Sequence, residues 1–450
     1  MMGLMKSLLL SVAMLPAALP AAASPFVLKP EWTGPCQASS VVDVNLGQTP
    51  ATFIQACFCQ IVGKEPSATV VKAWTDQLAQ NPNWRRVDVV RTLAKEFGRT
   101  IRLAYSNPWA NNPELPPAGP KTSKRDVGAI CMFFFHCPGG VNCGMDWANN
   151  HVEGMDSASD ILADNGSPGF YQAENPGFWR HELSDAAAAG LDFLLLNVYG
   201  PDIAEGGITS LAQDLAQNPS PVKIALLDDT WAWGEPWFGP SWKITPTFSD
   251  PGRAAVTLYE AKWKPFFTQL PRQDWYLVDG RPLIYFYNSG KLQPQNLSAE
   301  TVRRMKARFT KDFGVEPFVA VDKAYFADPD MAQVADARFV WNPMDWGETP
   351  DKISWARMNG KTLTHAMVRW DSLGRDKPGA IAGPGDRLIK GPEMLQTVLN
   401  ATAKADILVL ATWNDLGEGT GLNRCYDYWY QGQWQAPDTF MQMIRSSQGR

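Results

Sequence analysis

The sequence is short of cationic charge, of histidine and of long apolar runs. Lys and Arg number 41 against 46 Asp and Glu, for a net charge of −5. Counterion release from a phosphate backbone needs clustered Lys and Arg, so a nucleic-acid partner is not expected. The four histidines, His136, His151, His181 and His365, are scattered. A metal-dependent esterase or deacetylase is therefore disfavoured, and neither a metal nor a cofactor is expected. The stretch "FFFHCPGGVNCG" (133–144) is a poor match to the glycine-rich loops that cradle dinucleotides and phosphates. Beyond the first two dozen residues no segment is apolar for long enough to span a bilayer.

Those first residues set the expected compartment. Lys6 precedes an apolar stretch from Leu8 to Leu19, and Ala21-Ala22-Ala23 stands before Ser24. This is the pattern of a secretory signal peptide over 1–23, which predicts a secreted or periplasmic protein. Export makes disulfides the default state of the seven cysteines, and an odd count leaves one thiol over. Cys131, Cys137 and Cys143 lie near His136 and His151 at spacings that match no familiar zinc pattern, so loop bridges are expected there.

What the chain has in abundance is aromatic residues: 19 Trp, 21 Phe and 11 Tyr. Residues 24–106 carry apolar positions at helical spacing, among them Phe53, Ile54, Cys57, Val70, Trp74, Leu78, Val90, Leu93 and Phe97. Gly63 and Glu65-Pro66-Ser67 punctuate the helices. A small all-α module is predicted. Val62-Gly63-Lys64-Glu65-Pro66, followed by Trp74 and Leu78, resembles the small helical domain of unknown function 4214, which implies an accessory module with no chemistry to carry over. The Pro-, Asn- and Gly-rich stretch 107–126 reads as a linker.

From 127 to 450 the rhythm changes. Eight short β-favouring runs recur, at 127–135, 191–199, 222–228, 282–287, 317–321, 337–341, 366–370 and 407–413. Helical stretches at 177–190, 252–270, 298–314 and 391–405 alternate with them. Near-continuously apolar strands alternating with helices predict a buried parallel sheet, and eight repeats predict a (β/α)8 barrel of TIM type. An open doubly wound sheet is the alternative.

Chemistry in such barrels lies where strands run into the loops that follow them. Those positions hold Tyr199 after strand two and Asp228, Asp229, Trp231 and Trp233 after strand three. They continue with Tyr287 and Asn288 after strand four, Asp322 after strand five, and Trp341 and Trp346 after strand six. Sugar rings pack their C–H faces on aromatic rings and hydrogen-bond their hydroxyls to Asp, Asn and Glu, so the rim predicts a poly- or oligosaccharide ligand. Adjacent residues at a strand end face opposite ways, so one of Asp228 and Asp229 should face the mouth.

The last strand leads into "ATWNDLGEGTG" (411–421), where Asp415 and Glu418 stand three positions apart beside Trp413 and Asn414. Two carboxylates around a glycosidic bond can divide the labour, one protonating the leaving oxygen and one activating the attacking group. Trp413-Asn414-Asp415 followed by Glu418-Gly419-Thr420 resembles the last-strand motif of glycoside hydrolase families 71 and 99. "AAAAGLDFLLLNVYG" (186–200) resembles their second-strand pattern. Family 71 has Asp and family 99 has Glu at the position of Asp415. The resemblance implies a (β/α)8 hydrolase of α-linked glucans or mannans, with Glu418 as general acid, Asp415 as base, and Trp413 and Asn414 beside the sugar. A monomer is expected. The alternative is a non-catalytic carbohydrate-binding protein of the cell envelope on the same barrel.

Overall fold

The structure is a computed structural model. It describes residues 31–43, 49–80, 86–104, 115–133, 173, 176–198, 201–229, 250–287, 298–341, 353–358, 360–368, 391–415, 420–424, 429–430, 433–434 and 436–450. The proposed signal peptide lies outside the described residues. Among those residues no helix is long and apolar enough to cross a membrane.

Two separate apolar cores divide the chain. The smaller, from Val42 to Ala94, is built around Phe53, Phe58, Ile61 and Trp74. Helices Pro50–Val62, Ala68–Gln80 and Arg86–Glu96 supply it. The first begins at Pro50 behind the N-cap Thr49 and ends at Gly63, whose φ of 75° is the left-handed conformation a helix C-cap needs. This segment is not purely helical. Trp32–Pro35 pairs with Lys64–Pro66, and Val41–Asp43 pairs with Arg102–Ala104. A Cys36–Cys59 disulfide fastens the entry strand to the first helix.

The larger core runs from Val127 to Ile444. Its parallel strands are β1 (Asp126–Met132), β2 (Phe193–Val198), β3 (Lys223–Asp229), β4 (Arg281–Tyr287), β5 (Phe318–Asp322), β6 (Ala337–Phe339), β7 (Lys361–Met367) and β8 (Ile407–Ala411). The ladder runs β6-β5-β4-β3-β2-β1-β8-β7, so the first strand joins the last and the sheet curls into a nearly closed barrel. All eight expected strands are present. Strand seven begins earlier than expected, because Ile353–Met358 folds back on it as an antiparallel hairpin. The returning strand follows Gly360, which has φ 78°. That added strand sits at the seam between β6 and β7.

The helices Pro176–Ala189, Pro201–Gln217, Ala299–Phe313 and Gly391–Ala401 follow β1, β2, β4 and β7. After β3, Pro251–Leu258 passes through a π-turn, Tyr259–Trp263, into Lys264–Gln269. At the N-terminal end of the barrel, Tyr276 stacks on Phe193 with ring centroids 3.9 Å apart and donates to Asp126 Oδ2 at 2.8 Å. A Cβ at Gly128 would lie 2.3 Å from the Phe193 ring, so only glycine fits beneath it. The barrel is thus filled at the N-terminal ends of its strands.

Candidate functional site

Register decides which side chains face the inside. Gly128 pairs with Phe193, and counting by twos along the ladder puts Met132, Asn197, Leu227 and Tyr285 on the inner face. Asp229 stands opposite Tyr287 on the same face. Across β5 and β6, Tyr285 pairs with Ala320 and Asp322 with Phe339, which makes Asp322 inward as well. The inner rim at the C-terminal ends of the strands therefore carries Asn197, Asp229, Tyr287 and Asp322. Asn197 Nδ2 lies 3.4 Å from Asp229 Oδ2 and 3.2 Å from Met132 Sδ. Asp322 also caps the following turn by accepting from Ala324 N at 2.8 Å.

On the β4–β7 side the rim is aromatic. Tyr287 lies against Trp341 at 4.3 Å between centroids, and both are half-buried. Below them Tyr285, Phe339 and His365 pack together. His365 Nε2 donates to Trp341 O at 3.1 Å, tying β7 to the end of β6 across the seam. Burial pushes the His365 pKa from 6.5 down to about 4.

This shift has a sign that can be tested. Between about pH 6.5 and 4 the unfolded chain binds a proton at His365 that the folded chain refuses. Stability is fully present above pH 6.5 and is lost as pH falls through that window, by on the order of 3 kcal/mol in all. His365→Gln is expected to flatten this acid limb in urea titrations run at several pH values. Identical slopes for the two chains would refute the assignment.

Asp228 is placed otherwise. It faces outward into the layer between sheet and helix, where Lys262 Nζ meets Oδ1 at 2.8 Å and Trp263 Nε1 meets Oδ2 at 2.9 Å. Lys262 also donates to Val198 O and Asp229 O at 3.2 and 2.5 Å, so one buried ammonium gathers the ends of β2 and β3. Of the adjacent aspartates, Asp229 faces the mouth and Asp228 belongs to the scaffold.

The loop after β8 is held by its own motif residues. Asn414 Oδ1 accepts from Met132 N at 2.6 Å and its Nδ2 donates to Met132 O at 2.9 Å. The amide thus extends the β8–β1 pairing past the end of the strand. It also reaches Glu182 Oε2 at 3.4 Å on the helix behind. Trp413 is fully buried in the main core, and its backbone N–H donates to Ile130 O at 2.6 Å. Both side chains, expected to line the substrate, are fully buried. Asp415 N donates to Thr412 Oγ1 at 3.0 Å, and Asp415 O accepts from Thr420 N at 3.0 Å. Arg424 anchors the returning chain to Asp185 on helix Pro176–Ala189 at 2.8 Å. Residues 416–419, with Glu418 among them, lie outside the described residues, but both ends of that segment are fixed. Tyr199, Trp231, Trp233, Asn288 and Trp346 also lie outside the described residues.

Cys131 is a buried thiol rather than one partner of a loop bridge; Cys137 and Cys143 are not among the described residues. It lies on the outer face of β1, where burial and the nearby Glu182 carboxylate push its pKa up. A groove of about 580 Å³ lined by Lys264, Phe267, Trp275 and Phe313 opens between outer helices, away from the rim. Asn197 is a rim residue that strand-end composition does not single out. It stands at the expected end of strand two, and register with Met132 and Leu227 turns it inward.

Residues 141–447 match the family described as "Domain of unknown function (DUF5010)". No curated protein matches the sequence. Among solved structures, the chain is similar to the GH99 endo-α-mannosidase from Bacteroides thetaiotaomicron, at 12% identity and TM-score 0.45 over 71% of this chain and 95% of that one. A "Glycoside hydrolase-like protein" is similar at 14% identity and TM-score 0.44, over 76% of this chain and 98% of that one.

Proposed function

The chain belongs to the DUF5010 family, and from that premise we propose that it is an exported glycoside hydrolase acting on α-linked glucan- or mannan-type polysaccharide. The observation that carries the reading is the composition of the barrel's inner rim. Asn197, Asp229 and Asp322 offer hydrogen-bonding groups, and the half-buried Tyr287–Trp341 pair offers ring faces. These are the two kinds of contact a sugar presents partners for. The carboxylate loop 415–418 leaves β8 at that same end of the strands.

In this reading the Glu418 carboxylic acid gives its proton to the glycosidic oxygen as the bond to the anomeric carbon breaks. The Asp415 carboxylate takes a proton from the attacking group, either a water or the sugar's own 2-hydroxyl. Water supplies the new hydroxyl at the anomeric carbon in either case. The bonds made by Asn414, Thr412, Thr420 and Arg424 support this role by fixing the loop, since a misplaced acid loses most of its effect. The amino-terminal signal pattern and the Cys36–Cys59 disulfide support export.

The test is hydrolysis of a panel of α-glucans, α-mannans and bacterial exopolysaccharides by the full chain, read as new reducing ends. No product from any of them would sink the reading. Trp341→Ala is expected to raise KM by roughly 3- to 10-fold with little change in kcat, as loss of a stacking face should. A fall in kcat alone would place Trp341 elsewhere. A binding-only barrel is the second reading. What favours it is that Trp413 and Asn414 are committed to packing and to the backbone of β1.

A further inference from the structure

Asn197 is 2% exposed, and its amide is half used. Nδ2 points at Asp229 Oδ2 and Met132 Sδ. Oδ1 is buried and has no hydrogen-bond partner among the described residues. The orientation is not interchangeable, because turning the amide over would set Oδ1 against the Asp229 carboxylate. A buried acceptor left open costs about 1–3 kcal/mol, so an orphan of this kind calls for an explanation in function.

Its position supplies one. Asn197 lies on the inner face of β2 at the C-terminal end, one strand from Asp229, which in turn stands opposite Tyr287. Tyr287 in turn packs on Trp341, so the aromatic pair and the Asn197–Asp229 pair share this rim. We infer that Asn197 is a specificity-determining residue of the barrel mouth, with Oδ1 accepting the hydrogen of one sugar hydroxyl. Asp229 fixes the amide that does so. The site therefore discriminates sugars by the presence and configuration of that hydroxyl. A site built to bond a hydroxyl rejects the analogue that lacks it far more strongly than an apolar pocket rejects an added group. This inference rests on the glycosidase reading, and the experiment separates the two.

The full chain carrying Glu418→Gln, which keeps a bound glycan intact, is titrated calorimetrically with α-glucan and α-mannan tetrasaccharides. Monodeoxy analogues of the tetrasaccharide that binds are then titrated into it. One analogue is expected to bind at least about tenfold more weakly than its parent. Adding Asn197→Ala should weaken the parent by the same factor and abolish the difference between parent and that analogue. A merely structural Asn197 would weaken all ligands alike and preserve the difference, which would overturn the assignment. Should Asn197→Ala fail to fold, Asn197→Gln displaces the amide by one methylene and allows the same comparison. If no tetrasaccharide binds the Glu418→Gln chain, the glycosidase reading itself fails, and this inference fails with it.

Discussion

Glu418→Gln is expected to lower hydrolysis by about a thousandfold or more while leaving the melting temperature unchanged. The amide is isosteric with the carboxylic acid but has no proton to give to a leaving alkoxide. General acid catalysis is worth roughly 10²- to 10⁴-fold, and poor leaving groups lie toward the upper end. The loss should shrink for glycosides with activated leaving groups, because these depart without protonation. Asp415→Asn should be impaired on both kinds of substrate, since the attacking group still needs its base. The measurement is kcat/KM for a natural oligosaccharide and for an aryl glycoside of the same sugar. Full activity of Glu418→Gln on the natural substrate would remove the claim that the loop after β8 is catalytic. A chain that binds glycans and releases no product in any form would instead favour the binding-only barrel.

Lys262→Met is expected to destabilise the barrel by about 3–5 kcal/mol, read from chemical denaturation of the full chain. The Lys262 and Asp228 side chains are 1% and 0% exposed. Removing the ammonium leaves a carboxylate out of water, still accepting from the Trp263 indole N–H. It also deprives the carbonyls of Val198 and Asp229 of a donor. Lys262 and Trp263, adjacent residues at the end of the π-turn Tyr259–Trp263, both reach the Asp228 carboxylate. Replacing both charges, as Lys262→Met with Asp228→Leu, should recover most of the loss, because a buried ion pair and its apolar substitute often balance. A single-variant loss below about 1 kcal/mol would show that this clamp is not what holds β2 and β3 together at the mouth.

Alternating apolar strands and amphipathic helices were legible from residue order because each depends on spacing along a single segment. The antiparallel strand Ile353–Met358 was not among the expected runs. The adjacent aspartates mark where such reading stops. Alternation required one of Asp228 and Asp229 to face the mouth. Which one depended on Lys262, more than thirty residues further along the chain.

Trp413 and Asn414 make the same point. Their place in a hydrolase-like motif suggested contact with a sugar. Tertiary pairing with Ile130 and Met132 on β1 instead uses them to join the last strand to the first. By itself, then, the sequence determined the number and order of the parallel barrel strands and which polar and aromatic residues stand at their ends, because hydrophobic periodicity and strand-end composition are local properties. Only the tertiary structure decided which polar side chains are spent on the scaffold and which are turned inward, because a buried polar group goes wherever its partner stands, and that partner is supplied by a distant part of the chain.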